Sequence, residues 1–182
     1  MPALRGLAAA AKRVQRAVDE AGLGPRRAAA TSPCPPPSQL ELYDLFVTSV
    51  PLREASRDLF ADRYYARAVE EAFKCVNNTV KTTARSTLDG QKLMQRVFGE
   101  GAMALRINDL RTESEKDEQT GYMMMLSGAM CGIRNPRAHE HLLRDEPAPA
   151  LEMLVLANHL MRVVERAKPV RKRRSKASLA TA

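Results

Sequence analysis

The densest group of reactive side chains lies between residues 132 and 141, in the sequence GIRNPRAHEH. It holds His139 and His141, two of the three histidines of the chain. Histidine changes its charge near neutral pH and can therefore accept or donate a proton during a reaction. Arg134 keeps its positive charge and has a planar shape that suits phosphate oxygens. These residues predict proton transfer beside an anion, and the plainer alternative is a helix-capping arginine with a hydrogen-bonded histidine.

Two further interpretations of this segment involve a metal ion or a thiol. His139 and His141 could bind zinc together with His159. However, nothing in the sequence establishes that His159 or any other residue would be the third ligand, and we expect neither a metal nor another cofactor. Cys131 could pair with His139 as a nucleophile, but we expect it to pack as a small apolar residue. The sequence contains none of the common phosphate-loop, zinc-protease or serine-hydrolase motifs.

Helical periodicity surrounds this segment on both sides and predicts an all-α bundle of four to five helices. No alternation of strands and helices is visible in the sequence. The first predicted elements are a short helix that ends before Pro51, a long helix with apolar residues from Phe60 to Val80, and a helix capped by Asp89. An irregular or extended connection follows over 102–110. The last two elements are a helix from Glu113 that ends or kinks at Pro136 and a helix from Pro147 or Pro149.

Charge and composition divide the chain into three predicted parts. Residues 1–38 form a basic segment with a proline-rich linker, residues 39–167 form the helical domain, and residues 168–182 form a basic disordered tail. The tail has six basic and no acidic side chains, whereas residues 32–167 have 17 basic and 19 acidic ones. The net charge of +8 therefore belongs to the two ends, which either contact phosphates or only keep the protein soluble.

Three features of the sequence predict where the protein resides. No apolar run approaches the roughly 20 residues of a membrane span, and the N-terminal residues lack the layout of a signal peptide. The three cysteines lie far apart and are odd in number, which favours reduced thiols. We therefore expect a cytoplasmic protein without membrane contact.

The sequence RNPRAH, residues 134–139, resembles the motif of the HEPN superfamily, in which an arginine is followed by a polar residue and four to six residues separate the arginine from a histidine. Over residues 60–167 the chain is more closely similar to the Ymh-type conserved hypothetical family within that superfamily. Four blocks in order carry this similarity: FADRYYARAVEEAFKCVNN, LDGQKLMQRVF, DEQTGYMMMLSGAMCGIRNPRAHE and ALEMLVLANHLMRVVERA.

The resemblance implies a HEPN-like bundle that dimerises around the motif and cleaves RNA without a metal ion. Arg134, Asn135 and His139 would be the catalytic residues, with His141 as an alternative to His139 because its spacing also fits. A homodimeric, prokaryotic toxin or antiviral defence effector, with an antitoxin or defence-system partner, is the implied role. Two alternatives remain open: a catalytically inactive module that binds a partner protein, and an accessory protein whose basic tails bind nucleic acid.

Overall fold

The structure is a computed structural model that describes residues 36–101, 103–140 and 143–170, together with Lys12, Arg16, Ala17 and Glu20. The chain divides into two units, residues 1–36 and residues 37–182. Most of the first unit and residues 171–182 lie outside the described residues, and the predictions for the two basic ends fall there.

Residues 37–170 are mostly helical, which confirms the all-α class. The elements are α1 (Gln39–Phe46), α2 (Val50–Ala61), α3 (Tyr65–Ala84), α4 (Gly90–Phe98), β1 (Leu105–Arg106), α5 (Glu113–Ala129), a π-helical turn (Met130–Arg134), α6 (Asn135–His139), α7 (Pro147–Arg166) and β2 (Lys168–Pro169). The two short strands pair antiparallel. Since α5, the π turn and α6 follow one another without a break, this part of the chain forms six helical rods rather than four or five.

The predicted long helix from Phe60 is two helices in the structure. Phe60 belongs to α2, and α3 begins only at Tyr65. Arg63 lies between them in the left-handed region, with φ of 65°, which interrupts the helix. Pro51 lies in the first turn of α2, where the N–H that proline lacks would have no helical partner. The prediction was correct about which face is apolar and wrong about where the helix begins.

The apolar core is built around α3, which packs against α2 and α7, while α5 packs against α4. Tyr43 of α1 is fully buried, stacks on Phe60 with ring centroids 5.2 Å apart and shares a hydrogen bond of 2.9 Å with Ser56. The largest fully buried side chains include Phe73, Phe98, Leu93, Leu126, Leu154, Leu160 and Met161. No helix in the described ranges is long and apolar enough to cross a membrane.

Three buried amide side chains join the helix ends and turns to this core. Asn158 of α7 accepts from the N–H groups of Thr48 and Ser49, both at 2.9 Å, in the turn before α2. Asn77 accepts from the N–H at the start of α4 at 2.9 Å. Gln119 of α5 donates to carbonyls of α4 and β1 at 2.9 and 3.1 Å and accepts from the N–H of the residue after β1. The start of α5 is thereby fixed by polar contacts inside the protein.

Candidate functional site

The predicted site lies at the end of one long rod, which we call the motif helix and which comprises α5, the π turn and α6. In the π turn the N–H of Asn135 donates to the carbonyl of Met130, five residues earlier. In a regular α-helix the ring of Pro136 would press on the carbonyl four residues before it. The wider turn relieves this conflict directly before the proline. The helix therefore continues to His139, where the sequence predicted an end or a kink at Pro136.

Arg134, Asn135 and His139 all lie at the C-terminal end of the motif helix. Nη1 of Arg134 donates to Oδ1 of Asn135 over 3.4 Å, and both residues are half-buried. His139 is exposed, and no hydrogen bond joins it to either residue in the described part of the chain. Asn135 and His139 are four residues apart on α6 and so share a face, while Arg134 lies on the neighbouring row. The structure brings Arg134 and Asn135 together and leaves the imidazole of His139 at the same helix end.

The guanidinium of Arg134 has donors that it does not use. Its Nε atom is buried and has no hydrogen-bond acceptor among the described residues. An unpaired buried donor costs about 1–3 kcal/mol, and a guanidinium carries five N–H donors in one plane. Its single side-chain bond, to Asn135, is long. A cation with unused donors at a surface is suited to bind an oxyanion such as phosphate.

Arg137, to which the sequence analysis gave no role, holds the segment after the motif in place. Its Nε and Nη2 atoms donate to the two carboxylate oxygens of Asp145 at 2.6 and 2.7 Å, and Nη1 donates to the carbonyl of Ile133 at 2.8 Å. The two side chains are only 9% and 11% exposed. The pair therefore fastens the loop between α6 and α7 to the helical turn that carries Arg134 and His139.

The other sequence candidates do not join this group in the described structure. His141 lies outside the described residues. His159, on α7, is exposed, and its Nε2 atom lies 2.9 Å from the hydroxyl of Tyr122 on α5. Cys131 is exposed rather than packed, which contradicts the expectation of a buried small residue. Among the described residues, no three histidine, cysteine or acidic side chains are grouped so that they could hold a metal ion.

A row of small and apolar residues runs along the outer side of the motif helix towards His139. We call it the glycine–methionine face, and its members are Gly121, Met124, Met125, Gly128 and Gly132. The two methionines are 61% and 44% exposed. A Cβ atom at any of the three glycines would meet nothing within 4 Å. Because a glycine destabilises a helix by about 1 kcal/mol relative to alanine, these positions weaken the helix without a packing benefit inside the described chain.

A cleft of about 550 Å³ includes Asp145 in its wall. It is lined by residues 63–67 and by residues 143–146, which belong to the fastened loop. Tyr64 is 64% exposed there. Arg63 and Arg144 also line the cleft, and neither is paired with a carboxylate in the described structure. An exposed ring in a cleft that also holds arginines suits a stacked nucleobase, and the sequence gave no signal for this arrangement because its two halves lie about 80 residues apart.

An ion-pair network around the buried carboxylate of Glu70 lies on α3, the helix that packs against the π turn and α6. The side chain of Glu70 is 6% exposed and accepts from Arg67 at 2.7 Å and from Lys74 at 2.8 Å. Burial raises the pKa of Glu70, but the hydrogen bond from Lys74 and the charges of both cations outweigh it, so that this pKa lies below its usual value. The network keeps a buried carboxylate charged on the same helix that packs against the π turn and α6.

Together these observations define an all-α protein with a polar arginine–asparagine–histidine site at the end of a helix that contains a π turn. Residues 51–164 match the profile of a family described as a protein of unknown function, Hypoth_ymh, and the chain belongs to that family. The match covers α2 to most of α7 and includes the whole motif helix. It confirms the Ymh-type similarity found in the sequence. Neither curated proteins nor solved structures gave a match to this chain.

Proposed function

We propose that this protein binds RNA and cleaves it as a metal-independent endoribonuclease of the HEPN type, acting as a homodimer. The observation that carries the proposal is the half-buried Arg134, whose Nε donor has no acceptor in the described structure, at the same helix end as the exposed His139. One residue is suited to hold a phosphate group and the other to move a proton at neutral pH. Phosphodiester cleavage requires both functions.

The reaction uses the 2′-hydroxyl of the RNA as the nucleophile. His139 removes the proton of this hydroxyl, the 2′-oxygen forms a bond to the adjacent phosphorus, and the bond from phosphorus to the 5′-oxygen breaks. The leaving 5′-oxygen takes a proton from His139 of the partner subunit. Arg134 stabilises the charge on the phosphorane, and Asn135, whose Oδ1 atom faces Arg134, donates from its amide nitrogen to a phosphate oxygen. The products are a 2′,3′-cyclic phosphate and a 5′-hydroxyl.

The glycine–methionine face supports the homodimer. Its glycines have open space around them, and the two exposed methionines lie between them on the same helix. Glycine allows the backbone of another chain to come close, and methionine adapts its shape to a partner surface. A second copy of the motif helix packed on this face and running in the same direction would place two copies of His139 near one another. The proton donor of the mechanism would then come from the neighbouring subunit.

The cleft beside Asp145 supports a single-stranded RNA substrate. A base next to the cleaved phosphate would stack on Tyr64, while Arg63 and Arg144 would contact the adjoining phosphates. Stacking on an aromatic ring contributes about 1–3 kcal/mol per base and depends little on sequence. The role as a toxin or antiviral defence effector, with an antitoxin or another defence partner, is part of the proposal through the superfamily resemblance alone.

A catalytically inactive interaction module is the second candidate. It is favoured by the absence of a hydrogen bond between His139 and either Arg134 or Asn135 in the described structure, and by the exposed methionines beside them. In this case the same helix face would hold a second copy or a partner protein, and Arg134 would bind an acidic group of that partner.

The decisive experiment is RNA digestion in the presence of a chelator, with analysis of the product ends. We expect the wild-type protein to release fragments with cyclic phosphates, and Arg134→Ala and His139→Ala each to lower the rate about 100-fold or more. His159→Ala is the matched control, since His159 is also exposed but hydrogen-bonds to a tyrosine away from the motif. His141→Ala decides between the two histidines of the motif.

The outcomes separate the two candidate functions. Loss of cleavage in both motif variants, with full activity in His159→Ala, supports the endoribonuclease. Cleavage that survives both motif substitutions refutes this site. An absence of cleavage in every variant, together with a stable dimer, favours the inactive module.

A further inference from the structure

The cleft beside Asp145 presents Tyr64 on a turn that is fixed by two backbone hydrogen bonds. The N–H of Tyr64 donates to the carbonyl of Leu59 at 2.8 Å. The N–H of Arg63 donates to the carbonyl of Phe60 at 3.1 Å. The two bonds form a Schellman motif that closes α2, with Arg63 at the left-handed position where glycine is preferred. In this motif the next side chain frequently packs back onto its helix, whereas the ring of Tyr64 is 64% exposed.

Glu146 lines the same cleft and is the residue directly before α7. Its side chain accepts no hydrogen bond from the first N–H groups of that helix, and it forms no ion pair in the described structure. The charge of a glutamate at this place favours the helix dipole, but it leaves both oxygens without a donor among the described residues. The two oxygens of the neighbouring Asp145, by contrast, both accept from Arg137. Glu146 therefore supplies the carboxylate of the cleft wall that can accept from a ligand.

Such a carboxylate has a cost in a cleft that binds RNA, because it repels phosphate groups. Stacking on Tyr64 accepts every base and gives no reason for a glutamate in the same wall. Bases, however, carry N–H donors on the edges that they use for pairing, and proteins read single-stranded RNA through those edges. A carboxylate in the same cleft as an exposed aromatic ring is therefore suited to select a base by its donors.

Guanine is the standard base whose donors match a carboxylate. Its pairing edge presents N1–H and the amino group at C2 side by side, so that the two oxygens of one carboxylate can accept from both. Adenine and cytosine present one amino group next to a ring nitrogen that is itself an acceptor, and this nitrogen would face the second oxygen. Uracil presents one N–H between two carbonyl groups. A carboxylate that reads this edge thus favours guanine over the other three bases.

We propose that the cleft beside Asp145 selects a guanine that flanks the cleaved phosphate, with Tyr64 stacking on the base and Glu146 accepting from N1–H and from the C2 amino group. This inference rests on the RNA substrate proposed above and names its base. The cleft adjoins the motif helix, because Asp145 lines the cleft and accepts from Arg137 of α6 at 2.6 and 2.7 Å. The protein accordingly cleaves single-stranded RNA next to guanines.

The test is binding of 2′-O-methyl trinucleotides, which have no free 2′-hydroxyl and so cannot undergo the proposed cleavage. UGU, UAU and UIU, in which I is inosine, are titrated into the full chain and followed through its amide NMR signals. A bidentate contact distinguishes bases by about 5-fold to 150-fold, and we expect UGU to bind about tenfold more tightly than UAU. Inosine lacks the C2 amino group, so that UIU should lose most of this advantage.

Glu146→Gln tests the carboxylate itself. A glutamine amide presents one acceptor and one donor, which match the pairing edge of adenine and not that of guanine, so that the preference for UGU should disappear. Glu152→Gln removes one exposed charge of α7 outside the cleft and should leave the preference unchanged. If Glu146 acted only on the helix dipole, its substitution would change the free energy of unfolding, measured in urea, and not the ratio of the two affinities.

Tyr64→Ala tests the stacking ring. It should weaken the binding of all three trinucleotides by about fivefold or more, whereas Tyr64→Phe, which keeps the ring, should bind like the wild type. Equal weakening in both variants would argue against stacking.

Three results would overturn the proposal: equal affinity of the wild type for UGU and UAU, no binding of any trinucleotide, or a preference for UGU that survives Glu146→Gln. These results are independent of cleavage. Cleavage that depends on Arg134 and His139 but shows no guanine preference would refute this inference alone. A guanine preference in a protein that cleaves no RNA would support the cleft and refute the cleavage reaction alone.

Discussion

Arg137 and Asp145 allow a quantitative test of how the site is held together. The two side chains share two hydrogen bonds of 2.6 and 2.7 Å and are 9% and 11% exposed. We consider Arg137→Met, which keeps an unbranched apolar side chain of similar length but removes the charge. The carboxylate of Asp145 is then left almost buried without its cationic partner, and the carbonyl of Ile133 loses its bond from Nη1.

The expected loss of stability follows from this burial. Removal of one partner of a buried ion pair costs about 3–5 kcal/mol, because the other charge stays behind without compensation. Taking about 3 kcal/mol, we expect the melting temperature to fall by about 6–12 °C in a chain of this size. Asp145→Leu should cost a similar amount. The double variant, in which neither charge remains, should recover most of the loss, since a buried pair replaced by apolar groups is often neutral.

Urea unfolding followed by circular dichroism measures the four members of this cycle. Hydrogen exchange of the amides in the loop 140–146 reports whether the loop opens before the protein unfolds. Lys116→Met is the control, since Lys116 and Glu113 form an ion pair of the same length, 2.6 Å, that is exposed on α5 and should contribute nothing measurable. The reasoning is refuted if Arg137→Met behaves like this control in both measurements, or if the double variant is as unstable as the sum of the singles.

Three further predictions test the dimer face, the π turn and the network on α3. Gly128→Leu has room for its side chain in the monomer and should stabilise the helix. It should nevertheless weaken the proposed dimer at least about tenfold, as measured by sedimentation, whereas the control Gln95→Leu on α4 should not weaken the dimer. Pro136→Ala restores an N–H and lets the wide turn close. The rate of RNA cleavage should therefore fall by about tenfold or more, without loss of the helical signal in circular dichroism. An unchanged rate of cleavage would show that the turn does not position the site. Glu70→Gln should lower the free energy of unfolding by about 2 kcal/mol at pH 7. Because the pKa of Glu70 is lowered in the folded protein, this difference should persist above pH 4.5 and disappear as the pH falls through the pKa of the folded protein. A difference independent of pH would argue against the ion pairs.

The features that the sequence predicted correctly depend on neighbours along the chain. Asp89 caps α4, as its side chain accepts from the N–H of Gly90 at 2.8 Å. Pro147 begins α7, and the apolar periodicity from Phe60 to Val80 covers most of the buried residues of α3. Caps, proline positions and helical periodicity are local signals, so that an inspection of the sequence detects them. The same locality explains why the all-α class was predictable.

The features that the sequence did not predict depend on contacts between distant residues or on strained backbone. The break between α2 and α3 rests on Arg63 in a left-handed conformation, with no glycine or proline to indicate it. The pair of Arg137 and Asp145 joins residues on both sides of a loop, and many charged residues of the chain could have formed such a pair. The cleft at Tyr64 combines residues 63–67 with residues 143–146, which the fold, and not the sequence, brings together.

The π turn connects these two kinds of feature at the candidate site. Pro136 is visible in the sequence, and its conflict with a regular helix is predictable, but the chain can resolve that conflict by ending, kinking or widening the helix. Here the helix widens, and α6 then continues with Arg137 in position to reach Asp145. A helix that ended at Pro136 would release Arg137 and His139 into the loop. The proline, the wide turn and the buried ion pair therefore act together to keep Arg134 and His139 on one continuous helix end, and a change in any one of the three should alter the relative position of these two residues.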